Sequence, residues 1–319
     1  MQGHLLLVDG TVTDASADVV RENIAAGSFF WLDLVNLDDE GSDLLANAFH
    51  FHPLAVEDAE NFGQRPKLED YDNFFYVVVH GAEADGSGTI EVHCFYSEKY
   101  LVTVERAVCP PFDEVRTRAS ARLQQGGGSV IMLLYRIVDA LIDSFFPVLA
   151  DFDDRIDALE DAILVQPTEE QLGTLFAMKR SLVALRKVIT PQRDIFANLM
   201  VSEDRLPGMT PEAERYFRDL YDHLIRISDL VDSYRDLLSG TMDTHLSTVS
   251  NRLNQVMKQL TIIATIFLPL SFLTGFFGQN FGWMINHITG LGTFIVLGIG
   301  LQIVVTVGLL VMFRRRNWL

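Results

Sequence analysis

The sequence predicts an α+β protein that ends in the membrane: an α/β domain, then long helices, then two transmembrane helices. Three observations carry this. Short runs rich in Val, Ile, Phe and Tyr alternate with helical segments over residues 1–125. Over residues 126–255 apolar positions recur at spacings of three and four, the period of a helix. From Gln259 to Phe313 there is no Asp, Glu, Lys or Arg at all.

Taken in order, β-rich runs fall at residues 4–8, 29–35 and 74–80, with a hairpin over 90–105 around a polar Ser-Glu-Lys turn. Helical runs are expected around 43–49, 54–60 and 111–124. Gly126-Gly127-Gly128 then breaks the chain. A first long helix is predicted over 130–165, with Ile131, Leu134, Ile137, Val138, Leu141 and Phe145 on one face, and a second over about 169–200. A third opens at Thr210-Pro211-Glu212, with Thr as N-cap, Pro at the first helical position and acids in the first turn. No strong stop follows before Gly275, so it is expected to run about 65 residues, roughly 100 Å, straight into the membrane. These readings divide the chain into 1–125, 126–255 and 256–319.

The spans are predicted at about 260–278 and 291–313, each long enough for a hydrocarbon core of roughly 30 Å. Between them lies the Gly/Asn-rich segment 278–290. Arg252 and Lys258 precede the first span, Arg314-Arg315-Arg316 follow the second, and the connecting loop has no Lys or Arg. Both termini are therefore expected in the cytoplasm of a cell-membrane protein in contact with lipid. All 43 Asp and Glu precede residue 251, and the net charge is −18. That balance excludes a broad nucleic-acid-binding face. Cys94 and Cys109 lack disulfide-scaffold or zinc-finger spacing, so a reduced intracellular setting is the default. The opening residues lack the basic start and apolar run of a secretory leader.

One stripe of the third helix is unusual. Steps of four and three from Asp243 give Ser247, Ser250, Asn254, Met257, Thr261, Ala264, Leu268, Ser271, Gly275 and Gly278, small or polar almost throughout. A 3.5-residue period keeps such a seam facing a common axis in a bundle of copies. Two readings compete. Small residues let helices pack closely in lipid; alternatively the seam lines a water-filled path. Packing accounts for Ala264 and Gly275, but does not favour Asp243, Asn254 and Thr261 on the same line. A single hairpin encloses nothing, so a pore needs several copies, and each seam residue becomes a ring. Asp243 then forms a carboxylate ring, Asn254 an amide ring, and Met257 and Leu268 apolar constrictions that block flow by dewetting. Gly278-Gln279-Asn280 would present neutral oxygens to a hydrated hard cation such as Mg²⁺. The same tripeptide also suits an ordinary helix C-terminus.

TIIATIFLPLSFLTGFFGQNFGWM (261–284), the preceding LSTVSNRLNQVMKQL and the terminal FRRRNWL resemble the CorA family of divalent-cation channels. So do FHPLAVEDAENFGQRPKLEDYDNFFYVVV, MKRSLVALRKV and YFRDLYDHLIRISDLVDSYRDLLSG upstream. The resemblance implies a homopentamer with an N-terminal α/β/α domain, a funnel of long stalk helices and first spans lining the pore. It implies uptake of Mg²⁺, with Co²⁺ or Ni²⁺ as further permeants, driven by the membrane potential and gated by cytosolic Mg²⁺. By the same resemblance, the filter falls on Gly278, Gln279 and Asn280. The hydrophobic gate falls on Met257 and Leu260, with Leu268 in a nearby Met's place; Asn254 forms the inner amide ring and Asp243 the acidic mouth. The regulatory carboxylates fall on Asp219, with Asp85 as its partner from a neighbouring subunit. The chain departs from the family's Gly-Met-Asn at Gln279. Relatives with another middle residue include zinc transporters of the ZntB kind, so Zn²⁺ transport, with or without proton coupling, is the alternative. His287 in the outer loop offers a nitrogen to Zn²⁺.

Other signals read as structure. His50-Phe51-His52 has no third ligand, Asp151–Asp157 lacks the glycine and final Glu of a calcium loop, and no Gly-Lys-Ser/Thr follows Gly126. No nucleophile and base pair up, so no enzyme is expected. A membrane-tethered sensor or enzyme remains the reading from another class; it predicts lipid-facing residues all round the first span.

Overall fold

The computed structural model describes residues 1–86, 88–201, 206–316 and 318. It divides into two compact units, Met1–Met242 and Asp243–Leu319.

In the first unit, seven strands form one sheet: β1 (Gly3–Leu7), β2 (Val12–Asp14), β3 (Phe30–Val35), β4 (Lys67–Tyr71), β5 (Phe74–Ala82), β6 (Thr89–Tyr96) and β7 (Tyr100–Glu105). Their spatial order is β2-β1-β3-β7-β6-β5-β4. Strands β3 and β7 run parallel, and every other neighbouring pair is antiparallel. The expected hairpin is β6–β7, closed by a turn in which Ser97 N donates to Tyr100 O and Tyr100 N to Ser97 Oγ.

Successive residues of a strand point to opposite faces, and helices cover both. On one face Leu6, Trp31, Val77, Val79, Val92 and Cys94 pack with α4 (Pro110–Gln124) and α5 (Val130–Asp143). On the other, Leu5, Phe30, Leu32, Leu34, Val78 and Val104 meet Val20 of α1 (Ala17–Ala26) and Leu44 and Leu45, which follow α2 (Asp39–Asp43). Ala55 and Val56 of α3 (Pro53–Glu60) complete that layer. The result is an α/β/α sandwich. His52, one of the two imidazoles set aside above, caps α3 by accepting from Leu54 N at 3.2 Å.

The helix expected over 130–165 is two helices. The chain breaks between α5 and α6 (Phe145–Val165) at Ser144. Pro147 cannot donate to the Asp143 carbonyl four residues back, which weakens the ladder there. Ser144 Oγ donates to Leu141 O at 2.6 Å and accepts from Ala82 N at 2.7 Å, tying the break to the sheet. Next come α7 (Glu169–Val201), which carries Pro191 in its interior, and α8 (Pro211–Phe277). Thr210 caps α8, accepting from Ala213 N at 3.1 Å. Strand β4 pairs with β5 only as far as Val78. Just beyond, the buried Gln192 of α7 accepts from His80 N at 2.7 Å and donates to His80 O at 3.1 Å, so a side-chain amide occupies the place of a further strand residue.

The second unit holds the end of α8, a short α9 (Gly282–His287), α10 (Leu291–Thr293), a π-helical stretch (Phe294–Gly300) and α11 (Leu301–Arg315). The last three form one helical run of 25 residues. That run and the end of α8 are each long and apolar enough to cross a membrane. Most of their large apolar side chains are exposed, Leu268 at 74% and Leu291 at 76% among them, while Ile262 and Phe313 are buried.

Candidate ion pathway and metal cluster

Each predicted pore position is exposed along α8. Asp243, Asn254, Met257, Leu260, Thr261, Ala264, Leu268 and Ser271 all present their side chains outside the chain's own packing. Exposure does not single out the seam: off it, Ile262 is buried, whereas Ile263, Phe267 and Phe272 are exposed. Thr261 Oγ1 donates to Met257 O at 2.7 Å, and Thr274 Oγ1 to Leu270 O at 2.7 Å. A hydroxyl whose proton is held by the helix keeps its oxygen lone pairs as acceptors, the polarity a cation's water shell needs.

At the end of α8, Gly278 N donates to Thr274 O at 2.9 Å and Gln279 N to Phe276 O at 3.3 Å, so the turn tightens just past Phe277, the last residue of the helix. A Cβ on Gly278 would lie 3.0 Å from Thr274 O, a close approach that favours glycine. Gln279 and Asn280 line a hollow of about 340 Å³ with Met284, Ile288, Thr293 and Phe294. Beside it, His287 stacks on Trp283 with centroids 4.7 Å apart. His287 Nδ1 lies 2.9 Å from Trp283 O. Because a carbonyl only accepts, Nδ1 is the donor, and in the neutral form of the ring Nε2 is then an acceptor.

A second constellation lies in the first unit. Asp139 and Asp143 stand one turn apart on α5, and Asp219 and His223 one turn apart on α8. One oxygen from each α5 carboxylate and one His223 nitrogen lie within 4.8 Å of one another. His223 Nδ1 is 3.3 Å from Asp143 Oδ1, and Nε2 is 3.8 Å from Asp219 Oδ2. Burial and the charge of Asp143 push Asp139 up to about 6, against the opposing pull of His223 and the Tyr135 hydroxyl. A divalent cation would relieve the crowding that raises Asp139, and two carboxylates with an imidazole match the donor preferences of such ions. The donor set therefore fits a divalent metal. Asp219 was expected from the sequence; its neighbours were not. The signals were present as Asp-x-x-x-Asp at 139–143 and Asp-x-x-x-His at 219–223. Asp85 lies apart from this cluster, exposed in the turn between β5 and β6.

Comparison with known proteins finds metal-ion transporters. The family described as CorA-like Mg²⁺ transporter protein matches residues 26–315. The chain is 35% identical to a putative metal ion transporter, YfjQ, of Bacillus subtilis, over 91% of this chain and 90% of that one. It is 38% identical to the cobalt/magnesium transport protein CorA of Thermotoga maritima, over 85% and 78% respectively. It is also 25% identical to the zinc transport protein ZntB of Yersinia enterocolitica, over 97% and 93%. Among solved structures, the CorA magnesium transporter of Methanocaldococcus jannaschii superposes with a TM-score of 0.82 at 20% identity, covering 100% of this chain and 99% of that one.

Proposed function

Because the chain belongs to the CorA-like Mg²⁺ transporter family, and so is a membrane-spanning divalent-cation transporter and not an enzyme, we propose that it forms a homopentameric channel admitting Mg²⁺. In this reading five α8 helices face a common axis, and their exposed seams become rings from Asp243 at the cytoplasmic mouth to Asn280 outside. Both termini lie in the cytoplasm, next to the basic Arg314-Arg315-Arg316 tail. The Asn280 ring captures the cation with its water shell, since amide oxygens accept from bound water without displacing it. Met257, Leu260 and Leu268 close the path when the rings narrow. The membrane potential drives entry with about 4.6 kcal/mol per 100 mV for a divalent ion.

The observation that carries this reading is the end of α8, where the Gln279 N bond to Phe276 O tightens the chain and Gln279 and Asn280 open on one hollow. The cluster of Asp139, Asp143, Asp219 and His223 supports regulation by internal metal. At high Mg²⁺ the ion offsets repulsion among these carboxylates and holds α5 to α8; when the metal leaves, repulsion loosens the contact. Asp85 of a neighbouring copy would add a carboxylate to Asp219.

A second reading has its own support. Gln279 in place of the family's Met, and the open Nε2 of His287 beside the filter, favour a nitrogen-accepting ion such as Zn²⁺, with Co²⁺ or Ni²⁺ close behind. The test is flux of Mg²⁺, Zn²⁺ and Co²⁺ into liposomes, with and without a pH gradient. Mg²⁺ flux that follows the potential alone, and is abolished in Asn280→Ala while assembly persists, is the expected result. Zn²⁺ flux that requires the gradient would establish the second reading, and full flux through Asn280→Ala would remove the outer ring from either.

A further inference from the structure

Two helices of the first unit carry opposite charge. Residues 171–193 of α7 contain Lys179, Arg180, Arg186, Lys187 and Arg193, and no acid. In α6 one base, Arg155, stands among Asp151, Asp153, Asp154, Asp157, Glu160 and Asp161. Some of this charge is used inside the chain: Arg186 Nε lies 3.3 Å from Asp232 Oδ1, and Lys179 Nζ 3.3 Å from Ser239 Oγ. Arg193 Nη1 also lies 3.5 Å from Ser228 Oγ, whereas Arg180 and Lys187 of α7 and Asp154 and Asp161 of α6 are exposed on outer faces, away from the buried Met178, Leu182 and Leu185 of α7 and the buried Phe152, Ile156 and Ile163 of α6.

Those outer faces have matching patterns. On α7, Phe176, Arg180, Val183 and Lys187 follow one another at steps of four, three and four, and all are exposed. On α6, Asp154, Ala158, Asp161 and Val165 follow at the same steps, and all are exposed, Val165 at 86%. Such spacing keeps each set on one face of its helix. Laid antiparallel, the stripes agree position by position: Phe176 meets Val165, Arg180 meets Asp161, Val183 meets Ala158, and Lys187 meets Asp154. Every base faces an acid, and every apolar side chain faces another.

We propose that the outer face of α7 docks on the outer face of α6 in a neighbouring copy of this chain. The inference rests on the reading of several copies arranged in a ring. A ring of more than two copies joins unlike surfaces, so each copy must carry two complementary patches. Helices α6 and α7 are consecutive and joined by the short segment 166–168, the connection of an antiparallel pair. With both helices running along the ring axis, rotation keeps every α6 pointing one way, so the α6 of the next copy meets α7 antiparallel, as the match requires. Placing α7 against α7 would instead oppose base to base. Exposed ion pairs are individually weak and are screened by salt, so the contact is adjustable rather than permanent.

The test uses the full-length protein in two forms, Ala158→Cys and Val183→Cys, produced together and oxidised mildly as mixed oligomers. The native Cys94 and Cys109 are buried and do not compete. A covalent dimer joining one chain of each form is the expected product, with neither form alone yielding it and Asp154→Cys with Phe176→Cys, out of register, yielding none. Arg180→Glu with Lys187→Glu should lower the yield about tenfold, because two attractions become repulsions. Adding Asp154→Lys and Asp161→Lys should restore it. Native mass measurement of the same samples separates the two levels of inference. Intact oligomers that give no such dimer, or a yield indifferent to charge reversal, overturn this contact and leave the ring standing; a chain that is monomeric in the membrane overturns both.

Discussion

Glu91 holds a loop to the sheet with one carboxylate. From β6, its Oε2 accepts from Gly63 N at 2.7 Å and its Oε1 from Gln64 N at 2.9 Å. His93 Nε2 lies 3.0 Å from the same Oε1, and His93 Nδ1 meets the Tyr76 hydroxyl at 2.5 Å. Burial alone would raise the Glu91 carboxyl, but His93 and the two backbone donors hold it below the ordinary carboxylate range. A carboxyl depressed by folding contributes stability above its unfolded pKa and loses it as the pH falls through the folded value. Glu91→Gln should therefore cost about 1–3 kcal/mol at neutral pH. The gap from wild type should narrow as the pH drops below about 4. Urea unfolding of the two proteins across that range measures both effects, and a gap independent of pH would contradict the account.

At the scale of elements, the break between α5 and α6 is held by a single hydroxyl. Ser144→Ala removes the acceptor for Ala82 N and leaves a sheet amide unpaired at a cost of about 1–3 kcal/mol, readable as a lower denaturant midpoint. The facing pairs on α5 and α8 make a separate prediction. His223→Ala and Asp139→Ala should each lessen the protection that Mg²⁺ gives against proteolysis of α5 and α8, while Asp151→Ala, on the exposed face of α6, should not. Protection unchanged in the first two variants would exclude the cluster from sensing.

These elements also show what a sequence reveals. The capped start and unbroken course of α8 were legible, because Thr210, Pro211 and a charge-free run act locally. So were β5, β6 and β7, whose branched and aromatic residues are buried in the sheet's middle and one half. Strand β2 has three residues, and β4 reads Lys-Leu-Glu-Asp-Tyr; edge strands need little apolar pattern, so neither stood out. The short α1 gave no strong period. The split at Ser144 was hidden because the apolar spacing continues through it. In the candidate site, the seam is a spacing within one helix, and Gly278–Asn280 follow directly on its last residue, Phe277. His223 and Asp139 are brought together only when α5 and α8 pack, which no local pattern records.

The whole molecule separates its charge: every acid precedes residue 251, and three arginines follow the last apolar run. If that tail fixes orientation, a cysteine placed at Thr289 in the loop between the spans should react with a membrane-impermeant thiol reagent from outside the cell. Replacing Arg314, Arg315 and Arg316 by Gln should mix the orientations and lower that labelling. Labelling from the inside alone would reverse the topology. The amide of Gln192 has a consequence at the same scale. Beyond Val78, β5 keeps β6 on one side but among the described residues has no strand on the β4 side, and there the N–H and C=O of His80 would be free to pair with a strand of another molecule. By plugging that place, Gln192 protects the protein from edge-to-edge association. Gln192→Leu should accordingly show itself first as aggregation during synthesis, before any change in the ions carried.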